Sequence, residues 1–179
     1  YAKEKNYPDR YVVFTDKITK RKNTKKKSIE TELENGVFMS CILRPSIFPS
    51  QASLLSAMST AALASALQEH TEKHIGIGWV SDIYCNKTKI GSITLEGKLD
   101  DFTTYEYIII SFNIKISKEN FPPRLKDMVK KVFQEENTSI NMIIARTILS
   151  HFFKFYQHLK SPQKFMEIYN DKFALRGKK

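Results

Sequence analysis

The sequence predicts an α+β fold, a mostly antiparallel sheet with helices packed on it. Three observations predict it. Apolar, β-branched runs between 75 and 116 are separated by short polar turns, as in an antiparallel meander. The stretches 49–70 and 138–159 repeat apolar residues at helical spacing. A length of 179 residues, 41% apolar and 27% charged, suits a single domain spanning 1–179 with its own core.

In chain order, "RYVVFT" (10–15) is β-branched and aromatic and reads as a buried strand. The basic stretch "KITKRKNTKKKS" (17–28) and "SIETELENG" (28–36) read as loop. "VFMSCILRP" (37–45) is a second strand that Pro45 stops. "PSQASLLSAMSTAALASALQEH" (49–70) is the clearest helix, with Ser50 as a capping residue and Leu54, Leu55, Met58, Ala62 and Leu67 near one face. Its alanines and serines imply close packing on the other faces. "IGIGWVSDIYC" (75–85), the turn "NKT" (86–88), "KIGSITLEG" (89–97), the turn "KLDDFTT" (98–104) and "YEYIIISFNIKI" (105–116) make the meander. The last third is helical. "PPRLKDMVKKVF" (122–133) starts on prolines, and 138–159 starts on Thr138 or Ser139 with the stripe Ile140, Ile143, Ile144, Ile148, Phe152 and Phe155. In "SPQKFMEIYNDKF" (161–173), Ser161 is the N-cap and Pro162 the first helical residue.

The net charge of +10 favours an anionic partner. Residues 17–28 hold much of that charge and no acid, but they lack the interleaved aromatics on which bases stack, which argues against nucleic acid. No apolar run reaches the roughly 18 residues of a membrane span, and no secretory signal is present. Cys41 and Cys85 lie in apolar strands and are expected as buried thiols of a reducing, cytoplasmic compartment. The four histidines have no Cys or Asp at metal-ligand spacing. His151 and His158 fit surface or packing positions on a helix, and Trp79 fits either core or a site.

The informative segment is "IGIGWVSDIYCNKTKIGSITLEG" (75–97). It places Trp79, Ser81 and Asp82 before a turn and Lys89 just before Gly91 and Ser92. A lysine beside glycine on a strand suits an oxyanion: the missing side chain admits a ligand, and the ammonium supplies a point charge. A solvent-facing strand lysine fits the same pattern.

The segment resembles the central signature of biotin protein ligases and, more distantly, of lipoate ligases and octanoyltransferases. That signature runs K-W-P-N-D, a short turn, then K-(I/L/V)-(A/G)-G-I-L-x-E. Trp79, Asp82, Lys89, Ile90, Gly91, Ile93 and Glu96 match it, while Gly78, Val80, Ser81 and Ser92 depart. Segment 12–28 falls without a gap on the family's strand and glycine-rich basic loop. Segment 35–46, with Ser40, resembles the strand N-L-Y-x-S-x-x-L-R-P, and 107–116 resembles Y-x-x-x-G-I-G-I-N. The resemblance implies the biotin–lipoate ligase catalytic fold, similar to that of class II aminoacyl-tRNA synthetases. It also implies that the family's S-T-N motif would lie before Tyr1 and that the small β-barrel which often follows the catalytic domain is absent.

What the resemblance implies about chemistry is a two-step ligation. Biotin is activated with ATP and Mg2+ to biotinyl-AMP, and the biotinyl group passes to a lysine of a biotin carboxyl carrier protein or domain. Lys89 matches the lysine that contacts carboxylate and phosphate. Trp79, Ser81 and Asp82 fall on the nucleotide side, and Gly91 and Ser92 against the biotin rings. Thr19, Lys20, Arg21, Lys22, Lys25 and Lys27 fall in the phosphate-covering loop, Ser40 on the neighbouring strand, and Lys115 on the family's late asparagine. The loop's glycines fall on Arg21, Asn23 and Lys26, its key arginine on Thr24, and the glutamine that reads the ureido group on Ile18. Charge survives while backbone freedom does not, so a mobile loop that attracts ATP and grips it less well is expected. An unpaired ureido group costs about 1–3 kcal/mol. Two alternatives follow from these departures: a lipoate- or octanoate-type acyl ligase or transferase, and a degenerate ligase fold kept for binding or regulation. Family members often dimerise through the sheet edge, so a homodimer is a further expectation.

Overall fold

A computed structural model describes residues 7–22, 28–100, 103–117, 120–121 and 139–173. Its strands are β1 (Tyr11–Lys22), β2 (Ser28–Leu43), β3 (Ile75–Gly78), β4 (Asp82–Cys85), β5 (Thr88–Leu99) and β6 (Tyr105–Lys115). Its helices are α1 (Ala52–Gln68), α2 (Ile140–Tyr156) and α3 (Gln163–Lys172). The strands form one six-stranded sheet in the order β1-β2-β6-β5-β4-β3, and every neighbouring pair is antiparallel. The α+β expectation and the meander from β3 to β6 therefore hold.

Alternation decides which face of the sheet is covered. On β6, Ile108, Ile110, Phe112 and Ile114 are buried, while Ser111 and Asn113 between them are half-buried. On β2, Val37, Met39, Cys41 and Leu43 enter the same core. Side chains of a strand point alternately to opposite faces, so each set shares one face. That face packs on Leu55, Met58, Leu63 and Leu67 of α1 and on Ile144, Ile148 and Phe152 of α2. Phe112 and Phe152 meet edge to face with ring centroids 5.6 Å apart.

α1 is buried almost all round rather than along one stripe, because the sheet, α2 and α3 all contact it. Its buried hydroxyls need partners, and the helix supplies them. Ser59 donates to Leu55 O at 2.7 Å and Thr60 to Ser56 O at 2.8 Å. Past its C-terminus, Gln68 fastens the chain to β3. Its Nε2 donates to Lys73 O at 3.0 Å, and Ile75 N donates to its Oε1 at 3.1 Å.

Three local expectations change. The segment expected as loop is strand: β1 continues to Lys22 and β2 begins at Ser28. In "SIETELENG" the acids at 30, 32 and 34 mask a two-residue alternation with Ile29, Thr31 and Leu33, and pairing with β1 satisfies the backbone. The register sets Lys20 opposite Glu30. Ser50 does not cap α1. It lies in a short 3-10 turn (Pro49–Gln51), where Phe48 N instead donates to Gln51 Oε1 at 3.0 Å. Ser139 does cap α2, accepting from Met142 N at 3.2 Å. α3 begins one residue later than expected, with Pro162 at the cap and no side-chain cap bond. The helix expected at 122–133 and the loop tip at 23–27 lie outside the described residues.

Candidate functional site

The face of the sheet opposite the helices carries the site. Register partners in an antiparallel ladder share a face. One row across the sheet therefore runs Thr15, Phe38, Asn113, Ser92, Asp82, Gly78, from β1 to β3. A second row runs Val13, Ser40, Ser111, Thr94. Where the rows cross β1, β2 and β6 they line a cavity of about 320 Å³. Ligand pockets run from about 300 to 1,000 Å³, so this one suits a small head group.

The cavity has an apolar wall of Val13, Phe14, Ile18, Phe38 and Met39. Its polar lining is Thr15, Ser40, Thr94, Ser111 and Asn113, and among the described residues no ionisable side chain lines it. Ser40 Oγ and Ser111 Oγ lie 2.7 Å apart and share one hydrogen bond, so one of the two hydroxyl protons is left for a ligand. Two irregularities interrupt the β1–β2 ladder, between Thr15 and Lys17 and between Ile18 and Lys20. At the first, Thr15 Oγ1 donates to Lys17 O at 3.0 Å and accepts from Lys17 N at 3.3 Å. Such irregularities twist and re-aim a strand, and Ile18 closes the cavity beside Val13 and Thr15.

The charged end of the first row stands on the β4–β5 hairpin. Lys89 Nζ donates to Asp82 Oδ2 at 2.7 Å. The hairpin turns at Asn86, whose φ of 53° is left-handed, a conformation asparagine tolerates better than most residues. A bulge between Ile83 and Tyr84 puts Lys89 opposite Tyr84 and within reach of Asp82. Neighbouring strands lie about 4.8 Å apart, so Asp82, two strands from Asn113, is about 10 Å from the cavity's amide.

The turn from Trp79 to Ser81 is tied at both ends. Ser81 Oγ donates to Ile93 O at 2.9 Å, and Ile93 N donates to Ser81 O at 3.0 Å. From α3, Tyr169 Oη donates to Val80 O at 2.8 Å. The turn leaves Trp79 75% exposed, which removes the core reading of that residue. An exposed indole held beside an ion pair offers a flat apolar face to a ligand.

The structure thus pairs Lys89 with Asp82 and sets Ser92 opposite Asp82, with Trp79 and Ser81 on the adjoining turn, while Ser40 stands apart in the cavity. Lys115 is exposed at the end of β6, two residues beyond Asn113 on the same face. Thr19, Lys20, Arg21 and Lys22 belong to β1, while Lys25 and Lys27 lie outside the described residues. Gly91 has a structural reason of its own: a Cβ there would lie 2.3 Å from Asn113 O and 3.0 Å from Ile114 Cα. The glycine is therefore required by the approach of β6. Its freed space is filled by that strand.

The sequence alone did not single out Val13, Thr15, Phe38, Thr94, Ser111 or Asn113. The polar pair in "SFN" within an otherwise apolar strand was the available signal. Among the described residues no group of three or more His, Cys, Asp or Glu stands where it could hold a metal ion. No helix among them is long and apolar enough to cross a membrane. Cys41 and Cys85 are buried and form no disulfide, and burial pushes the Cys41 thiol up to about 12.

No family model matches the chain. It is 28% identical over 154 residues to the bifunctional ligase/repressor BirA of Bacillus subtilis, an alignment covering 85% of this chain and 47% of that protein. The chain therefore spans about half the length of the curated relatives it matches. Among solved structures, the biotin protein ligase of Aquifex aeolicus in complex with biotin and ATP superposes with a TM-score of 0.71 at 18% identity. That match covers 97% of this chain and 73% of the other. The biotin protein ligase of Leishmania major in complex with biotinyl-5-AMP gives a TM-score of 0.62 at 15% identity, over 93% of this chain and 72% of the other. Both share the fold.

Proposed function

We propose that this chain, a divergent member of the biotin protein ligase family, activates biotin with MgATP and transfers it to a lysine of a biotin carboxyl carrier protein or domain. The observation that carries the reading is the row itself. An uncharged cavity lies at one end and the Lys89–Asp82 pair at the other, about 10 Å apart by strand spacing. A ligand whose neutral ring fills the cavity presents its acyl tail along Ser92 and its carboxylate to Lys89.

In the first step a carboxylate oxygen attacks the α-phosphorus of ATP, the bond to the bridging oxygen breaks, and pyrophosphate leaves. Two anions must meet, so a fixed ammonium offsets their repulsion and the charge that develops between them. Lys89 is that ammonium, and Asp82 positions it. The exposed Trp79 lies on the side assigned to the nucleotide. In the second step the acceptor's neutral lysine amine attacks the acyl carbon and AMP leaves. Mg2+ binds through one or two carboxylates together with phosphate oxygens. Bound with ATP, the ion would offset phosphate charge. The same reading places the reaction in the cytoplasm, and sheet-edge dimerisation remains part of the proposal.

One observation favours a second reading. Ile18 stands in the cavity wall where the family has a ureido-reading glutamine, and an apolar wall suits the alkyl chain of lipoate or octanoate. The test is ligand-dependent ATP–pyrophosphate exchange with biotin, lipoate or octanoate, followed by labelling of a carrier domain. Exchange and labelling with biotin are expected. Exchange with lipoate or octanoate alone moves the assignment to the second reading. Binding without exchange leaves the fold as a binding module.

A further inference from the structure

We infer that Asn113 is the residue that selects the ligand's head group, reading a cyclic urea in place of the glutamine that Ile18 has displaced. The inference rests on the ligase reading above and deepens it. Asn113 lines the same cavity as Ile18, on the facing part of the sheet. Its backbone is held in the ladders to Phe38 and Ser92. Its side-chain amide makes no hydrogen bond among the described residues. A half-buried amide with no protein partner, fixed on the central strand of a sheet, is a donor and an acceptor waiting for a ligand.

The cavity's chemistry narrows what that ligand presents. Among the described residues no charged side chain lines it, which favours a neutral group there, because burying an unpaired charge is costly. Its other polar groups are the Ser40–Ser111 hydroxyl couple, Thr15 and Thr94. A cyclic urea has two N–H donors flanking one carbonyl. The Asn113 amide matches one edge of it, with Oδ1 accepting from a ring N–H and Nδ2 donating to the carbonyl. The free proton of the serine couple donates to the same carbonyl's second lone pair. The walls of Val13, Ile18 and Phe38 then cover the apolar remainder of the ring system. A plain alkyl chain entering the cavity would instead strand the amide and the hydroxyl without partners. The preference therefore runs toward the urea and against the alkyl acid.

The test is calorimetric titration of the chain with biotin and, separately, with octanoic acid, on wild type, Asn113→Leu and Asn113→Ala. The leucine keeps the bulk and removes the polar pair, and the alanine removes both. Thermal melts of each variant check folding, and the alanine carries the test if the leucine is not accommodated. Expected is a loss of biotin affinity of about tenfold in both variants, the scale of one to two net hydrogen bonds. Octanoic acid should bind as well as to wild type or better. Unchanged biotin affinity in a folded variant overturns the role of Asn113 and leaves the ligase reading standing. Equal weakening of both ligands assigns Asn113 a structural role and overturns the inference likewise. Wild-type protein that binds octanoic acid but not biotin, or binds neither, overturns the biotin reading itself and this inference with it.

Discussion

Replacing Lys89 by methionine separates its two possible duties, holding the fold and holding charge. The pair with Asp82 is short, at 2.7 Å, but the side chains are 51% and 26% exposed. Solvent screening leaves such a pair about 0–1 kcal/mol of folding stability. The catalytic duty is larger. An ammonium about 4 Å from the reacting anions interacts with each by about 4 kcal/mol at an effective dielectric of 20, and closure of the site around ligands limits screening. Loss of one preorganised charge-stabilising group costs about 100- to 1,000-fold in rate elsewhere. Lys89→Met should therefore lower biotin-dependent ATP–pyrophosphate exchange by about that factor while the urea midpoint moves little. Exchange within threefold of wild type would refute the role of Lys89. An unfolding shift large enough to account for the lost rate would assign it a structural role instead.

Three further perturbations test the frame around the site. Gly91→Ala puts a Cβ against the β6 backbone, 2.3 Å from Asn113 O, and should cost about 1–3 kcal/mol in urea unfolding; a neutral result would mean that β5 and β6 separate easily. Cys41, with its thiol pushed up to about 12 by burial and then by Asp9, should resist a disulfide reagent at pH 8 in the native Cys85→Ser variant and react once unfolded. His70 donates or accepts with Thr147 at 2.9 Å, and its pKa is lowered, chiefly by burial, with Glu69 opposing and His151 assisting. The unfolded chain then protonates first as pH falls through its ordinary value of 6.5. Stability is full above that pH and is lost below it, and His70→Gln should flatten this part of the unfolding profile.

The parts of the fold legible in the sequence were those where one pattern dominated. Strand 105–115 and the helix carrying Ile148 bury an apolar set with a clear period, while strand residues 37–43 and the helix carrying Met58 were legible from their apolar composition. Residues 17–34 failed because their signal is electrostatic. Lysines on one strand and glutamates on the other look like solvated loop until the register sets Lys20 opposite Glu30. Trp79 stayed open between core and site for a different reason. Aromatic residues bury well in general, and nothing local announces that Ser81 and Tyr169 hold its turn outward. Lys89 and Asp82 were each singled out in the sequence, but their ion pair was not, because it depends on the bulge between Ile83 and Tyr84 that shifts the hairpin register. The cavity was not, because it needs Thr15, Ser40, Ser111 and Asn113 from three strands, and pairing register is a property of the assembled sheet.

The separation of charge from cavity follows from the same sheet. Had Lys89 stood in the row of Ser40 and Ser111, its ammonium would have been walled by Val13, Phe38 and Met39, where an unpaired charge is expensive. Set instead on the β4–β5 hairpin, it keeps Asp82 as a partner and half its surface in water. The cavity in turn can be remodelled without touching the charge. Exchange of a glutamine for Ile18 alters what the neutral head group must offer while leaving the approach of carboxylate to ammonium as it was. On the proposed assignment, substrate choice and activation sit on different strands, so Asn113 and Lys89 variants should act independently: their effects on biotin affinity and on exchange rate should add as separate free energies.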